Sequence, residues 1–149
     1  ASWIAGPHRL IGIGLLPGLT SVERMEVAPT AHTPAETVGV VRRFFHSLGK
    51  EIDIVQDRVG LVLPRLLCQL INEALAGIQE DLASPADIDL AARKGIGLPV
   101  GLLEWGQRMG FGTVVHVLDA IAGDTGEEQY RPSPLLRKLE SRFAPAAGP

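Results

Sequence analysis

Val59–Ile78 reads VGLVLPRLLCQLINEALAGI, and its pattern decides the fold. Apolar residues fall at Val59, Val62, Leu63, Leu66, Leu67, Leu70, Ile71, Ala74, Leu75 and Ile78, the three-and-four spacing of an α-helix. The stripe is wide enough to be covered on more than one side, with Arg65, Gln69, Asn72, Glu73 and Gln79 between its members. Pro64 lacks the N–H that a helix interior needs, so regular hydrogen bonding is expected only from about Leu63 onward. The residues before this helix read as short strands with one helix, those after it as helices. The pattern predicts a mainly α (α+β) protein: a helical bundle built on a central helix, with a small strand cluster at the N-terminal end.

On the N-terminal side, Arg9–Leu16 (RLIGIGLL) is a short apolar run with the character of a buried strand, ended by Pro17-Gly18. Val22–Val27 alternates like a half-buried strand. Thr33-Pro34-Ala35-Glu36 spells a capping box, in which the Thr33 hydroxyl would accept from the Glu36 N–H, and a helix should run from Pro34 to about Leu48 with Gly49 as its stop. Ile52, Ile54 and Val55 make a third strand. On the other side, Ser84-Pro85-Ala86-Asp87 caps a helix ending at Lys94-Gly95. Helices follow over about Gly101–Met109 and Gly112–Ala122, each closed by a glycine, and Ser133-Pro134 opens a last one towards Arg142.

The 149 residues make one domain the default, and 46% hydrophobic with 21% charged residues is ordinary globular composition. A formal net charge of -3 excludes a surface built for nucleic acid or for an anionic membrane. The one cysteine, Cys68, lies on the apolar helix and reads as an inert buried thiol. No apolar run reaches the length of a membrane span and no signal peptide precedes the first residues, so a soluble, cytoplasmic protein is expected.

The glycines of GIGLLPG (Gly12, Gly14, Gly18) invite a nucleotide-loop reading, which needs a helix opening directly on the loop; Pro17 and the alternating strand after it deny that helix. No βαβ unit is expected in the chain, and with it no site for a dinucleotide. His8, His32, His46 and His116 form no helical pair and have no cysteine beside them, so spacing assigns none of them to a metal or to catalysis. Glu26, an acid between Met25 and Val27, is either a solvent-facing strand residue or, if buried, a group that orients a catalytic base.

Taken in order, Arg9–Val27 (RLIGIGLLPGLTSVERMEV), Leu48-Gly49-Lys50, Asp57–Gly60, Arg65-Leu66-Leu67, Asn72-Glu73-Ala74, SPADIDLAARKGIGLPVGLLEWGQRMG, Thr113–Leu118 and Arg131–Leu136 resemble the 3-hydroxyacyl-CoA dehydrogenases from Arg9 to Leu139. The resemblance implies that residues 1–57 correspond to the end of a Rossmann-type NAD-binding domain (strands plus one helix). It likewise implies that residues 58–149 form the helical C-terminal domain, which pairs subunits and helps to close the acyl-CoA site. It implies an NAD-dependent oxidoreductase of fatty-acid metabolism, with a homodimer and acyl-CoA as partners. The family's catalytic histidine falls on Gly14, the asparagine of its H-F-F-N-P segment on Pro17, and a second asparagine on Pro64; Glu26 alone matches, as the glutamate that orients the histidine. The family's K-T-G-x-G-F-Y ending has no counterpart. Three readings stay open: a dimerisation and acyl-CoA-site module that is not catalytically competent as this chain alone and carries no cofactor; a non-catalytic interaction or scaffold homologue that keeps only the helical pairing surface; and a variant enzyme using another base supplied by an NAD-binding domain outside these residues.

Overall fold

The computed structural model of the protein describes residues 10–16 and 23–143. It consists of two compact units, residues 1–64 and residues 65–149. Together they are mainly helical, with one small sheet.

In the first unit, β1 (Ile11–Gly14), β2 (Arg24–Pro29) and β3 (Glu51–Ile54) form a three-stranded sheet in that order, and α1 (Ala35–Ser47) connects β2 to β3. β1 pairs antiparallel with β2, placing Ile13 opposite Val27 and Gly14 opposite Glu26. β3 runs parallel to β2, with Met25 opposite Ile52 and Val27 opposite Ile54. Because side chains alternate across a strand, Ile11, Met25, Val27 and Ile52 share one face. Met25, Val27 and Ile52 are buried there against Phe45 of α1, with Ile11 and Val41 beside them. The other face carries Gly12, Gly14, Arg24, Glu26, Ala28 and Asp53. On it Arg24 makes two hydrogen bonds to the Asp53 carboxylate, at 2.8 and 2.5 Å, which hold that carboxyl below the usual carboxylate range.

The capping box is not made. The Thr33 hydroxyl donates to the Leu10 carbonyl at 2.7 Å and receives the Thr30 N–H at 2.9 Å, so it serves the loop; α1 has Pro34 as its N-cap and no side-chain cap bond. The predicted end is found, with Gly49 at φ +70° just past the helix.

α2 (Leu63–Gln79) starts at the first unit's end and makes the body of the second, with Pro64 in its first turn, where a missing N–H leaves nothing unsatisfied. Around it lie α3 (Pro85–Gly95), α4 (Leu102–Met109), α5 (Phe111–Thr125), a 3-10 turn (Glu128–Tyr130) and α6 (Pro134–Phe143). Ser84 caps α3, its hydroxyl accepting from Asp87 N at 3.2 Å. α4 has glycine at its N-cap and takes its cap from α3: Asp89 accepts from the N–H groups of Leu103 at 2.7 Å and Glu104 at 3.3 Å. The core gathers Cys68, Ile71 and Leu75 of α2, Val114, Val115, Leu118 and Ile121 of α5, and Leu136 of α6. At Gly106 a Cβ would come within 2.8 Å of Phe111 and 3.2 Å of Ile71, so its absence lets α4 approach both helices.

The apolar stripe of α2 is covered on one side only: Leu67, Ile71 and Leu75 are buried, while Leu66 is 56% and Leu70 37% exposed. In α5, Val114, Val115, Leu118 and Ile121 are buried within the unit, while Val117 and Ala122 are half-buried.

Candidate functional site

On the sheet face turned away from α1, the chemistry concentrates at one point. Gly14 and Glu26 stand directly across the β1–β2 ladder. Opposite side chains in such a pair lie close enough to touch, which is the geometry a base and its orienting acid would use. Here one partner has no side chain. The turn before α2 fills the space: Gly60 (φ +81°) and Leu61 (φ +45°) both adopt left-handed backbone, and this brings the next two amides onto Glu26. Glu26 Oε2 accepts from Val62 N at 3.1 Å and Oε1 from Leu63 N at 2.7 Å.

Both amides belong to the opening of α2. A carboxylate there satisfies N–H groups that no helical carbonyl can reach and offsets the positive end of the helix dipole. Glu26 is half-buried and works as a helix cap supplied from a strand. A Cβ on Gly14 would stand 3.0 Å from Glu26 Cβ, 3.0 Å from Glu26 Oε2 and 3.3 Å from Leu61 Cδ1. A side chain at position 14 would therefore crowd Glu26 and Leu61, which would have to give by a few tenths of an ångström.

The other residues singled out by sequence do not join this point. Pro17, Gly18 and His8 lie outside the described residues. His32 is exposed in the loop before α1, and His46 and His116 are exposed on α1 and α5. Pro64 is buried in the first turn of α2 and offers neither donor nor acceptor from its ring. Cys68 is fully buried, and burial pushes its thiol up to about 12, which keeps it protonated and inert. No group of three or more histidine, cysteine, aspartate or glutamate side chains able to hold a metal occurs among the described residues. No helix among them is long and apolar enough to cross a membrane.

A βαβ unit is present after all, contrary to the sequence expectation: β2, α1 and β3, with the two strands parallel. Its first turn does not fit a dinucleotide. Residues 30–34 (Thr-Ala-His-Thr-Pro) contain no glycine, the N-cap is Pro34, and the first turn of α1 holds Glu36. A pyrophosphate needs close backbone approach and free N–H groups at the helix start, and it repels an acid there.

In the second unit two of the resembling residues, Asn72 and Arg65, make contacts that hold the chain together. Buried Asn72 donates from Nδ2 to the Arg131 carbonyl at 3.1 Å and accepts from Ser133 N at 2.7 Å. Arg65 hydrogen-bonds the Tyr130 hydroxyl at 2.9 Å and lies 5.0 Å from its ring centroid. Together they fasten the segment before α6 onto α2. Nothing in the sequence pattern marked Asp89, Leu61 or the Val62 and Leu63 amides as partners; the pair Gly60-Leu61 before a proline was the one available sign of a turn.

Known proteins resemble this chain along most of its length. Residues 60–142 match the family described as 3-hydroxyacyl-CoA dehydrogenase, C-terminal domain. The 3-hydroxyadipyl-CoA dehydrogenase of Escherichia coli (strain K12) is 34% identical over 120 residues, covering 78% of this chain and 25% of that protein. A probable 3-hydroxybutyryl-CoA dehydrogenase of Deinococcus radiodurans is 31% identical over 133 residues, covering 89% of this chain and 48% of that protein. The crystal structure of an (S)-3-hydroxybutyryl-CoA dehydrogenase from Ralstonia eutropha superposes with a TM-score of 0.81 at 29% identity, over 91% of this chain and 48% of that one. This chain thus spans between a quarter and a half of the length of these relatives.

Proposed function

Because the chain belongs to the 3-hydroxyacyl-CoA dehydrogenase family through its C-terminal domain, we propose that it is the helical subunit-pairing and acyl-CoA-site part of that machinery and does not carry out the dehydrogenation by itself. The observation that carries this reading is the pair Gly14–Glu26. Removing a proton from a hydroxyl while hydride leaves requires a base within hydrogen-bond reach of that hydroxyl. The sheet position facing Glu26 has no side chain, and Glu26 itself is engaged by two backbone amides. In the reaction NAD would accept the hydride. The one βαβ turn among the described residues does not suit its pyrophosphate, so no step is assigned to NAD on these residues.

The exposed side of α2, with Leu63, Leu66 and Leu70, supports pairing with a second copy through the helical unit. The scaffold reading shares that surface and differs in having no acyl-CoA affinity. Calorimetry and a turnover assay on residues 1–149 separate the readings. The expected result is measurable binding of a short-chain 3-hydroxyacyl-CoA, no NAD binding in the micromolar range, and no NAD reduction above background. Turnover by these residues would overturn the proposal; absence of any acyl-CoA binding would favour the scaffold.

A further inference from the structure

The second unit carries an open, largely apolar pocket of about 600 Å³ that the reading above does not use. Leu75 and Ile78 of α2, Leu103 of α4, Phe111 of α5, and Leu135 and Leu139 of α6 line it. Its volume falls inside the range of about 300–1,000 Å³ typical of small-molecule sites, and such sites are mostly apolar with a few placed polar groups. Two polar side chains line this one, Gln107 and Arg142, both exposed.

Arg142 differs from its neighbours. Within the same unit Arg93 and Arg108 pair with Glu104, Arg131 with Glu128, Arg137 with Asp119 and Glu140, and Arg65 with Tyr130. Arg142 has no ion-pair or hydrogen-bond partner among the described residues, and neither has Gln107. An apolar cavity with an unpaired guanidinium and a carboxamide on its lining is complementary to a molecule with a greasy chain and one negative end.

We propose that this cavity binds a small amphiphile, an apolar chain ending in a carboxylate, with the chain against Leu75, Leu103, Phe111 and Leu139 and the carboxylate on Arg142. All residues of the site lie in one helical unit, away from Gly14 and Glu26 in sequence and in unit, so it is independent of the dehydrogenase reading. The chain supplies most of the affinity, since each buried methylene adds more than an exposed ion pair does. Lengthening a ligand by two carbons should therefore tighten binding about tenfold until the cavity is full. The carboxylate contributes a preference of only a few-fold over the matching alcohol.

Amide nitrogen–proton spectra of the full chain, titrated with octanoate, decanoate and decanol below their aggregation limits, test this. The expected result is saturable shifts clustered at Leu75, Gln107, Phe111 and Leu139, tighter for decanoate than for octanoate and tighter for decanoate than for decanol. Arg142→Gln should erase the preference over decanol while leaving decanol binding unchanged, a readout that a merely structural arginine would not give. Leu139→Trp should weaken all three ligands together. Decanoyl-CoA, whose carbonyl carries no charge, should lose the Arg142 dependence; equal dependence would assign the cavity to carrier-bound chains and overturn the free-carboxylate proposal. No saturable shift at these amides up to about 1 mM, equal affinity for decanoate and decanol in the parent protein, or shifts centred on Leu66 and Leu70 would each overturn it too.

Discussion

Glu26 shows how a side chain on a strand can cap a helix that starts far along the chain. Its register opposite Gly14 leaves it no imidazole to orient, and its two oxygens take the Val62 and Leu63 amides. Glu26→Ala should lower stability by roughly 1–2 kcal/mol, the usual effect of losing a helix cap, and Glu26→Gln by less because an acceptor remains. Urea midpoints at neutral pH measure both; an unchanged midpoint for Glu26→Ala would show that the contact carries no weight. Cys68 gives a prediction in pH. Its thiol is raised from 9.0 to about 12 in the folded protein, so the folded state favours the protonated form more than the unfolded chain does. The associated stability is present in full below the unfolded value and is lost as pH climbs from about 9 towards 12, up to about 4 kcal/mol for a shift of this size. Denaturant midpoints between pH 8 and 11 should fall more steeply for the parent than for Cys68→Ala. The surface pair Arg24–Asp53 acts in the opposite direction: Asp53 is lowered, so its small contribution is present at neutral pH and disappears as the solution is acidified through the carboxylate range.

Among elements, those whose signals are local were legible and those that depend on distant partners were not. The period of α2, the Ser84 cap of α3 and the glycine stop at Gly49 are written within a few residues of where they act. Thr33 misled because its hydroxyl found the Leu10 carbonyl, 23 residues away in sequence, and no local pattern shows that competitor. The cap of α4 is of the same kind, since it comes from Asp89 on the preceding helix. A Cβ placed on Gly101 would run into the Asp89 carboxylate, so the glycine and the acid are one device. Asp89→Ala should cost about 1–2 kcal/mol through the lost cap. Gly101→Ala should cost more than it would at an open N-cap, about 2–3 kcal/mol, because the carboxylate must move off the amides it satisfies. If thermal melts show the double variant to be no worse than the worse single one, the two positions are coupled as described. The candidate site divides in the same way. Gly14 and Glu26 were each picked out by resemblance, and β-pairing register put them together; the amides that engage Glu26 come from 36 and 37 residues later and left no trace in the pattern.

For the whole molecule, the open question in the sequence was what covers the apolar surface. Most of α5 is covered inside its own unit; the exposed apolar side chains include Leu66 and Leu70 of α2, Leu82 and Ile96 near α3, and in the first unit Val40 and Phe44 of α1 with Leu48 just past its end. We expect a homodimer formed through α2, with an interface on the order of 2,000 Å² if folding and association are linked. Leu70→Glu should shift the protein from dimer to monomer in light scattering at low micromolar concentration. Its stability should fall and should depend on protein concentration in the parent. A parent protein that scatters as a 15.9 kDa monomer would remove the expectation.

The contact between Glu26 and the start of α2 also bears on which mutational paths are open to this chain. A histidine at position 14 would have to push aside Glu26 and Leu61, and Glu26 could follow it only by releasing the Val62 and Leu63 amides. Gly14→His alone therefore weakens the fold before it can confer any chemistry. A second change that gives those amides another acceptor should offset that loss. A library varying residues 14, 61 and 62 together should therefore recover more well-folded histidine variants than a scan of position 14 by itself.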